Sequence, residues 1–299
     1  MGIFRARRPF VDPKLVKYVM EHPDTDRFLP EEREMSVVFA NISGFTTISD
    51  PVQEGELLAR RDYLGLMHSV IRKHRGVFNQ VHGNRTMFFF GAPEPYPGDP
   101  TFHATAAVQT AMEMQSEIAN FAVKISRENP TTLKLRAGIS SGMMTAGDIG
   151  IPLRCDYTVI GDRVNIAAGL ELANQFTGTQ TLITEETVKF LRGRFLIRPI
   201  GLLQLFSRNE LVRVYEPIAP MDIATDDQHT LVSMTQTLVE HFIAARFADC
   251  IKATDELLIA FGEASHGKLC ELYCRLCMEH LDRPPDKFRG QIRIAAESP

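Results

Sequence analysis

Three short stretches carry residues whose types and spacing suit phosphate chemistry. In Met35–Ser49, MSVVFANISGFTTIS, an apolar run of strand character meets a polar turn and then a helix. Gly44 and its small neighbours let the backbone of Ile42, Ser43, Gly44, Phe45 and Thr46 gather N–H groups at a helix N-terminus, where phosphate binds well. Taken alone, a strand, a glycine-bearing turn and a helix read as a structural unit. In Asn79–Pro93, NQVHGNRTMFFFGAP, two strands join at a His-Gly-Asn turn, and in Asp156–Glu171, DYTVIGDRVNIAAGLE, a strand and a glycine turn run into a helix.

In this order and spacing the three stretches resemble the catalytic domain of the class III nucleotide cyclases, the adenylate and guanylate cyclases. The resemblance implies attack of a ribose 3′ hydroxyl on the α-phosphate with loss of pyrophosphate. Metal acidifies the hydroxyl and cationic donors hold the charge that grows on the phosphate. In the family pattern two Asp hold a pair of divalent metals, and this sequence has Asn41 and Asn84 at those positions. Mg²⁺ takes anionic oxygen, whereas an amide offers one weak oxygen and no charge, so no metal cofactor is expected. Mg²⁺ or Mn²⁺ enters only if the chain is a cyclase with rebuilt ligands.

The same carry-over puts Gln80 and Thr158 at the positions that read the base, where the family has Lys and Asp or Thr. Asn165 and Gly169 stand where Asn and Arg hold the transition state. Thr158 and Asn165 keep the family's residue type; Gln80 and Gly169 do not. Gly169 falls inside a predicted helix, at a cost of about 1 kcal/mol against Ala, with no side chain to reach a phosphate. Arg85, Arg163, Asp156 and Asp162 lie near the motifs and are read as solvated or structural charges.

The elements that position these residues follow from periodicity. Asp12 caps and Pro13 opens a short amphipathic helix, expected to pack on its own domain or at a dimer contact. Helical spacing covers Gln53–His74 and about 102–128. Leu133–Gly150 reads as a strand, a Ser-Ser-Gly turn and a second strand. Thr184 ends a short strand, Glu185–Leu191 a helix, and 195–218 holds two edge strands. The fold class expected is α+β, a mainly antiparallel ferredoxin-like sheet of the class III cyclase kind with helices on its faces, followed by a small all-helical module. The divisions are a lead-in over 1–34, a cyclase homology domain over 35–220 and a tail over 221–299. The tail resembles the tetratricopeptide-like module found behind some bacterial cyclases and is expected to be helical without strands.

The 299 residues are 44% hydrophobic with a formal net charge of −4. That is enough apolar content for a large domain and a small one. It shows no basic field for nucleic acid and no run long enough for a membrane span, so a cytoplasmic protein with cysteines as thiols is expected. His266, Cys270, Cys274, Cys277 and His280 recur at helical spacing. One straight helix cannot wrap its side chains around a single ion, so they are read as core. The resemblance implies sites built between two subunits, hence a homodimer or a heterodimer with another cyclase-type domain, with a nucleotide as a candidate ligand. The leading functional reading is a pseudo-cyclase that acts by binding. The alternatives are a weak or noncanonical cyclase and a scaffold working through its tail.

Overall fold

The computed structural model describes residues 12–21, 29–44, 54–125, 133–150, 156–205, 211–285 and 287–294. Its frame is one nine-stranded mixed sheet. The strands are β1 (Glu31–Ser43), β2 (Val77–His82), β3 (Arg85–Phe90), β4 (Lys134–Asp148), β5 (Tyr157–Ile160), β6 (Thr181–Thr184), β7 (Phe195–Gln204), β8 (Leu211–Pro220) and β9 (Gln291–Arg293). The order across the sheet is β2-β3-β1-β4-β6-β8-β7-β9, with β5 paired to β4. Only β4 with β6 and β7 with β9 run parallel. The α+β class read from the sequence is the fold observed.

Alternation along β1 decides what packs where. Val38, Ala40 and Ile42 point to one face, under α2 (Glu54–Lys73) and α3 (Phe102–Ile125), where they join a core with Phe88, Phe90, Ala107 and Ile139. Met35, Val37 and Phe39 point to the other face. There they meet Ala167 and Val164 of α4 (Asp162–Thr177) and Leu15 of α1 (Pro13–Glu21). Gly138 on β4 allows this second layer to form, because a Cβ there would collide with the backbone of Ala167 and Glu171. The lead-in helix packs on its own domain. Asp12 Oδ1 accepts from Lys14 N at 2.8 Å as a cap, and Oδ2 accepts from Phe78 N at 3.0 Å on β2.

Three expectations are corrected. Leu133–Gly150 is not a hairpin, because β4 runs unbroken through Ser140, Ser141 and Gly142 and pairs with β1 from Ser43↔Lys134 to Glu31↔Ala146. The two serines are buried, and Ser141 Oγ bonds Ser36 Oγ at 2.6 Å and Thr187 Oγ1 at 2.9 Å. Nor do β7 and β8 both lie at an edge: β8 sits between β6 and β7, and β9 covers β7. The tail therefore contains a strand beside its helices α6 (Asp226–Ile243), α7 (Phe247–Phe261) and α8 (Glu263–Asp282).

The tail has a small cluster of its own around Leu231, Leu257 and Cys270, but its larger core is shared with the sheet. Leu238, Phe242, Phe247, Tyr273 and Cys277 share one cluster with Ile166 and Leu170 of α4, Ile200 and Leu203 of β7, and Leu205 just past it. Tyr273, fully buried, donates its hydroxyl to Ile200 O at 2.7 Å. Burial of each such side chain stabilises by roughly 1.5–3 kcal/mol, so the helices are fastened to the sheet. Of the cysteine stripe, Cys270 and Cys277 are buried in apolar clusters and Cys274 is half-buried, with Cys250 packed near by. Among the described residues no group of three or more His, Cys, Asp or Glu could hold a metal ion, and no helix is long and apolar enough to cross a membrane.

Candidate functional site

Asn41 on β1 and Asn84 in the turn before β3 lie at neighbouring positions of the ladder. Asn41 pairs with Arg85 on β3 and with Arg136 on β4, and Ile42 N donates to Asn84 O at 3.3 Å. Direct cross-strand partners share a face, so Asn41 is bracketed by two guanidiniums. Both are tied to Glu171 of α4, which is 0% exposed. Arg85 donates from Nε at 2.9 Å and from Nη2 to Glu171 Oε2, and Arg136 Nε lies 3.3 Å from Oε1. The Gln175 amide, with its oxygen turned to Arg136, accepts from Nη2 at 2.8 Å and Nη1 at 3.2 Å. Arg85 also lies over the Phe39 ring, 5.6 Å from its centroid. Arginine is suited to this, since its planar fork spreads several donors over a carboxylate while its face stacks on a ring.

The base-reading positions lie on β2 and β5. The register of β2 against β3 shifts between Phe78 and Gln80, so Asn79 bulges out of the ladder. Its Nδ2 donates to Tyr157 O at 2.9 Å and its Oδ1 accepts from Thr158 Oγ1 at 3.1 Å. That bulge residue fixes the Thr158 hydroxyl next to Gln80. Gln80 is exposed and engages its own hairpin, accepting from His82 Nε2 at 2.9 Å, with Nε2 3.4 Å from Met87 Sδ. On α4, Asn165 is exposed one turn before Gly169. Gly169 faces Leu205 of the β7 end: a Cβ there would lie 3.2 Å from Leu205 Cδ1 and 3.5 Å from its Cβ. A buried leucine thus stands over the position from which an arginine would reach.

A family model for the adenylate and guanylate cyclase catalytic domain matches residues 29–214, more than half of the chain. The chain belongs to that family. Among curated relatives it is 28% identical over 187 residues to Adenylate cyclase 1 of Rhizobium meliloti, covering 62% of this chain and 28% of that one. It is 27% identical over 188 residues to the Adenylate cyclase of Anabaena cylindrica, covering 62% and 36%. The chain thus spans about a third of the length of these relatives. Among solved structures it resembles the adenylyl cyclase CyaB of P. aeruginosa, with TM-score 0.58, 27% identity and coverage of 64% and 96%. A bacterial light-regulated adenylyl cyclase has the same fold at TM-score 0.58, with 22% identity and coverage of 76% and 64%.

Set against the cyclase pattern, the two halves of the cleft differ. The residues at the metal positions do not fit a divalent cation. Asn41 and Asn84 are neutral, the flanking Arg85 and Arg136 are positive, and both oxygens of Glu171 are spent on guanidinium. A divalent ion about 5 Å from one uncompensated guanidinium meets a repulsion of roughly 7 kcal/mol at an effective dielectric of 20. No catalytic step is therefore derived through metal. The phosphate turn is also shorter than its sequence suggested. Ile42 and Ser43 belong to β1, and the N–H of Ile42 is spent on Asn84 O. Ile42 is buried, Ser43 Oγ donates to Lys134 O at 3.3 Å, and Gly44 carries φ 102°. Phe45 and Thr46 lie outside the described residues.

Sequence reasoning missed Asn79, Glu171 and Arg136 and read Arg85 as a solvated or structural charge, of which the structural reading holds. Arg85 and Glu171 are 86 positions apart, so only the sheet register and the helix laid over it reveal the bridge. Arg163, the second arginine near the motifs, reaches Glu186 at 3.5 Å instead.

Proposed function

We propose that this cyclase homology domain does not turn over nucleoside triphosphates and acts by binding, as a regulatory partner in cyclic nucleotide signalling or as a sensor of a ligand in the altered cleft. The observation that carries the reading is the Arg85–Glu171–Arg136 bridge around Asn41. It ties two guanidiniums to one carboxylate where the cyclase pattern calls for carboxylates and cations. The loss is joint: the positions that would acidify the hydroxyl and the one that would hold the phosphate charge have both changed, and Leu205 covers the latter. One missing preorganised donor costs on the order of 10²–10³ in rate. The face that carries Asn165 and Thr158 remains available for a homodimer or for pairing with another cyclase-type domain.

Incubation of the purified chain with ATP, GTP, CTP and UTP, with Mg²⁺ and then Mn²⁺, followed by mass spectrometry for cyclic nucleotides, tests the proposal. No product at high protein concentration is expected. Product that disappears on Asn165→Ala would instead support the second reading, a weak cyclase with rebuilt ligands. That reading draws on the exposed Asn165 and on the Thr158 hydroxyl held in place by Asn79.

A further inference from the structure

A second cleft, of about 540 Å³, opens where the tail closes over the sheet. Its walls come from the start of β4, the C-terminal end of α4, strands β7 and β8, and the first turns of α8. Ligand sites for small molecules run from about 300 to 1,000 Å³, so it has room for a metabolite. The helix and the loop opposite approach closely at the mouth. Gly178, with φ +69°, ends α4, and a Cβ there would lie 2.6 Å from Lys268 Cβ.

The polar groups of this cleft are mostly donors. Arg198, 3% exposed, donates from Nη1 to Glu216 Oε2 at 3.3 Å and to His266 Nδ1 at 3.2 Å, and its Nε has no partner among the described residues. Arginine can only donate, so His266 must accept at Nδ1 and carry its proton on Nε2. Burial and the neighbouring guanidinium push the His266 pKa down to about 4, which keeps the ring in that neutral form. Gln175 spends its oxygen on Arg136 and so presents its NH₂. Lys134 and Lys268 are exposed at the rim and have no acidic partner among the described residues.

Two carboxylates face the cleft. Glu216 is taken up by Arg198 and by Gln180 N at 3.3 Å, while Glu263 is exposed at the edge. Among the described residues, two unpaired lysines against one unpaired carboxylate leave the cleft with a surplus of donors and positive charge, which calls for an anion. The donors come from four separate elements, β4, α4, β7 and α8, so they converge from several directions, as the oxygens of a tetrahedral oxyanion require. Leu135, Ile218 and Leu231 also line the cleft and offer apolar surface to an organic body.

We propose that this cleft binds a small phosphate-bearing metabolite, which bridges the cyclase sheet and the helical tail. Such a ligand binds only the docked tail, and it contacts the α4 end whose other turns carry Asn165, Gly169 and Glu171. The tail would thereby report ligand to the face used for pairing. This inference does not rest on the absence of turnover.

The test is calorimetric titration of the full chain, in EDTA, with AMP, glucose 6-phosphate, inorganic phosphate and citrate. At least one phosphate ester should bind, and Lys134→Ala and Lys268→Ala should each weaken it about tenfold while leaving the melting temperature of the free protein unchanged. Several results would overturn the proposal. They are no binding by either ester, binding by inorganic phosphate alone, citrate binding as tightly as the esters, or affinity untouched by both lysine variants. Loss of ester binding on Asn165→Ala would place the ligand in the cyclase cleft and overturn it as well.

Discussion

The two faces of β1 are covered by helices alike, yet they are held by different chemistry. Toward α2 and α3 the strand presents Val38, Ala40 and Ile42 to a closed apolar core. The polar groups of that face form an uncharged chain: Ser36 Oγ meets His103 Nδ1 at 2.8 Å and Ser141 Oγ at 2.6 Å, and Ser141 continues to Thr187. Toward α4 the same strand presents Asn41, and the charged groups there are two guanidiniums closed on a buried carboxylate. The neutral face holds the sheet to α2 and α3. The charged face is where the cyclase pattern has been rewritten. Alternation along one strand thus gives the apolar core and the Asn41 position to different residues.

The sharpest way to break this comparison is to remove the bridge. Glu171→Gln would leave two partly buried guanidiniums without their carboxylate, and loss of one partner from such a network costs about 3–5 kcal/mol. Urea unfolding should show this, whereas Glu185→Gln, whose pairs are at the surface, should change stability by less than about 1 kcal/mol. Equal effects would mean that the bridge does not hold the charged face.

The neutral face has its own signature, in pH. Burial holds His103 neutral, pushing its pKa down to about 4 from an ordinary 6.5, only partly offset by Asp99. Between those values the unfolded chain binds a proton that the folded chain refuses. Its contribution is complete above pH 6.5 and is lost as pH falls toward 4, up to about 3 kcal/mol. Stability measured across that window should show the slope in the wild type and a shallower one in His103→Gln. An identical slope in both would remove His103 from the account.

The smallest effect separates the two halves of the cleft. Asn79→Ala removes two half-buried hydrogen bonds and should cost about 1–2 kcal/mol. It should release the Thr158 side chain, seen as altered relaxation of the Thr158 methyl by NMR, with the β1 and β4 amides undisturbed. Shifts spreading to Asn41 would show that the halves are mechanically one.

Much of this was legible in the sequence, for physical reasons. The apolar run of strand character from Met35 and the helix Glu185–Leu191 are local signals, and both elements form where expected; in the structure Thr184 Oγ1 caps that helix by accepting from Thr187 N. The positions of Asn41, Asn84, Thr158, Asn165 and Gly169 followed from motif order. Ser140-Ser141-Gly142 misled because it has turn composition, while in the fold the serines hydrogen-bond inside the sheet and Gly142 takes φ 142° within a continuous strand. β9 was invisible, since three residues acquire strand character only by pairing with β7. The bridge at Asn41 was hidden because it depends on register across three strands.

The central claim is that the metal half of the cleft is closed by charge as well as emptied of carboxylates. Titration with Mn²⁺ in the presence of ATP, followed by electron paramagnetic resonance, tests it in three forms: the wild type, Asn41→Asp with Asn84→Asp, and that pair with Arg85→Ala added. The account predicts no protein-bound Mn²⁺ in the wild type, little in the pair because Arg85 captures the new carboxylates, and at least about tenfold tighter binding once Arg85 is removed. Mn²⁺ held by the wild type and lost on Asn41→Ala, or full binding by the pair alone, would contradict it.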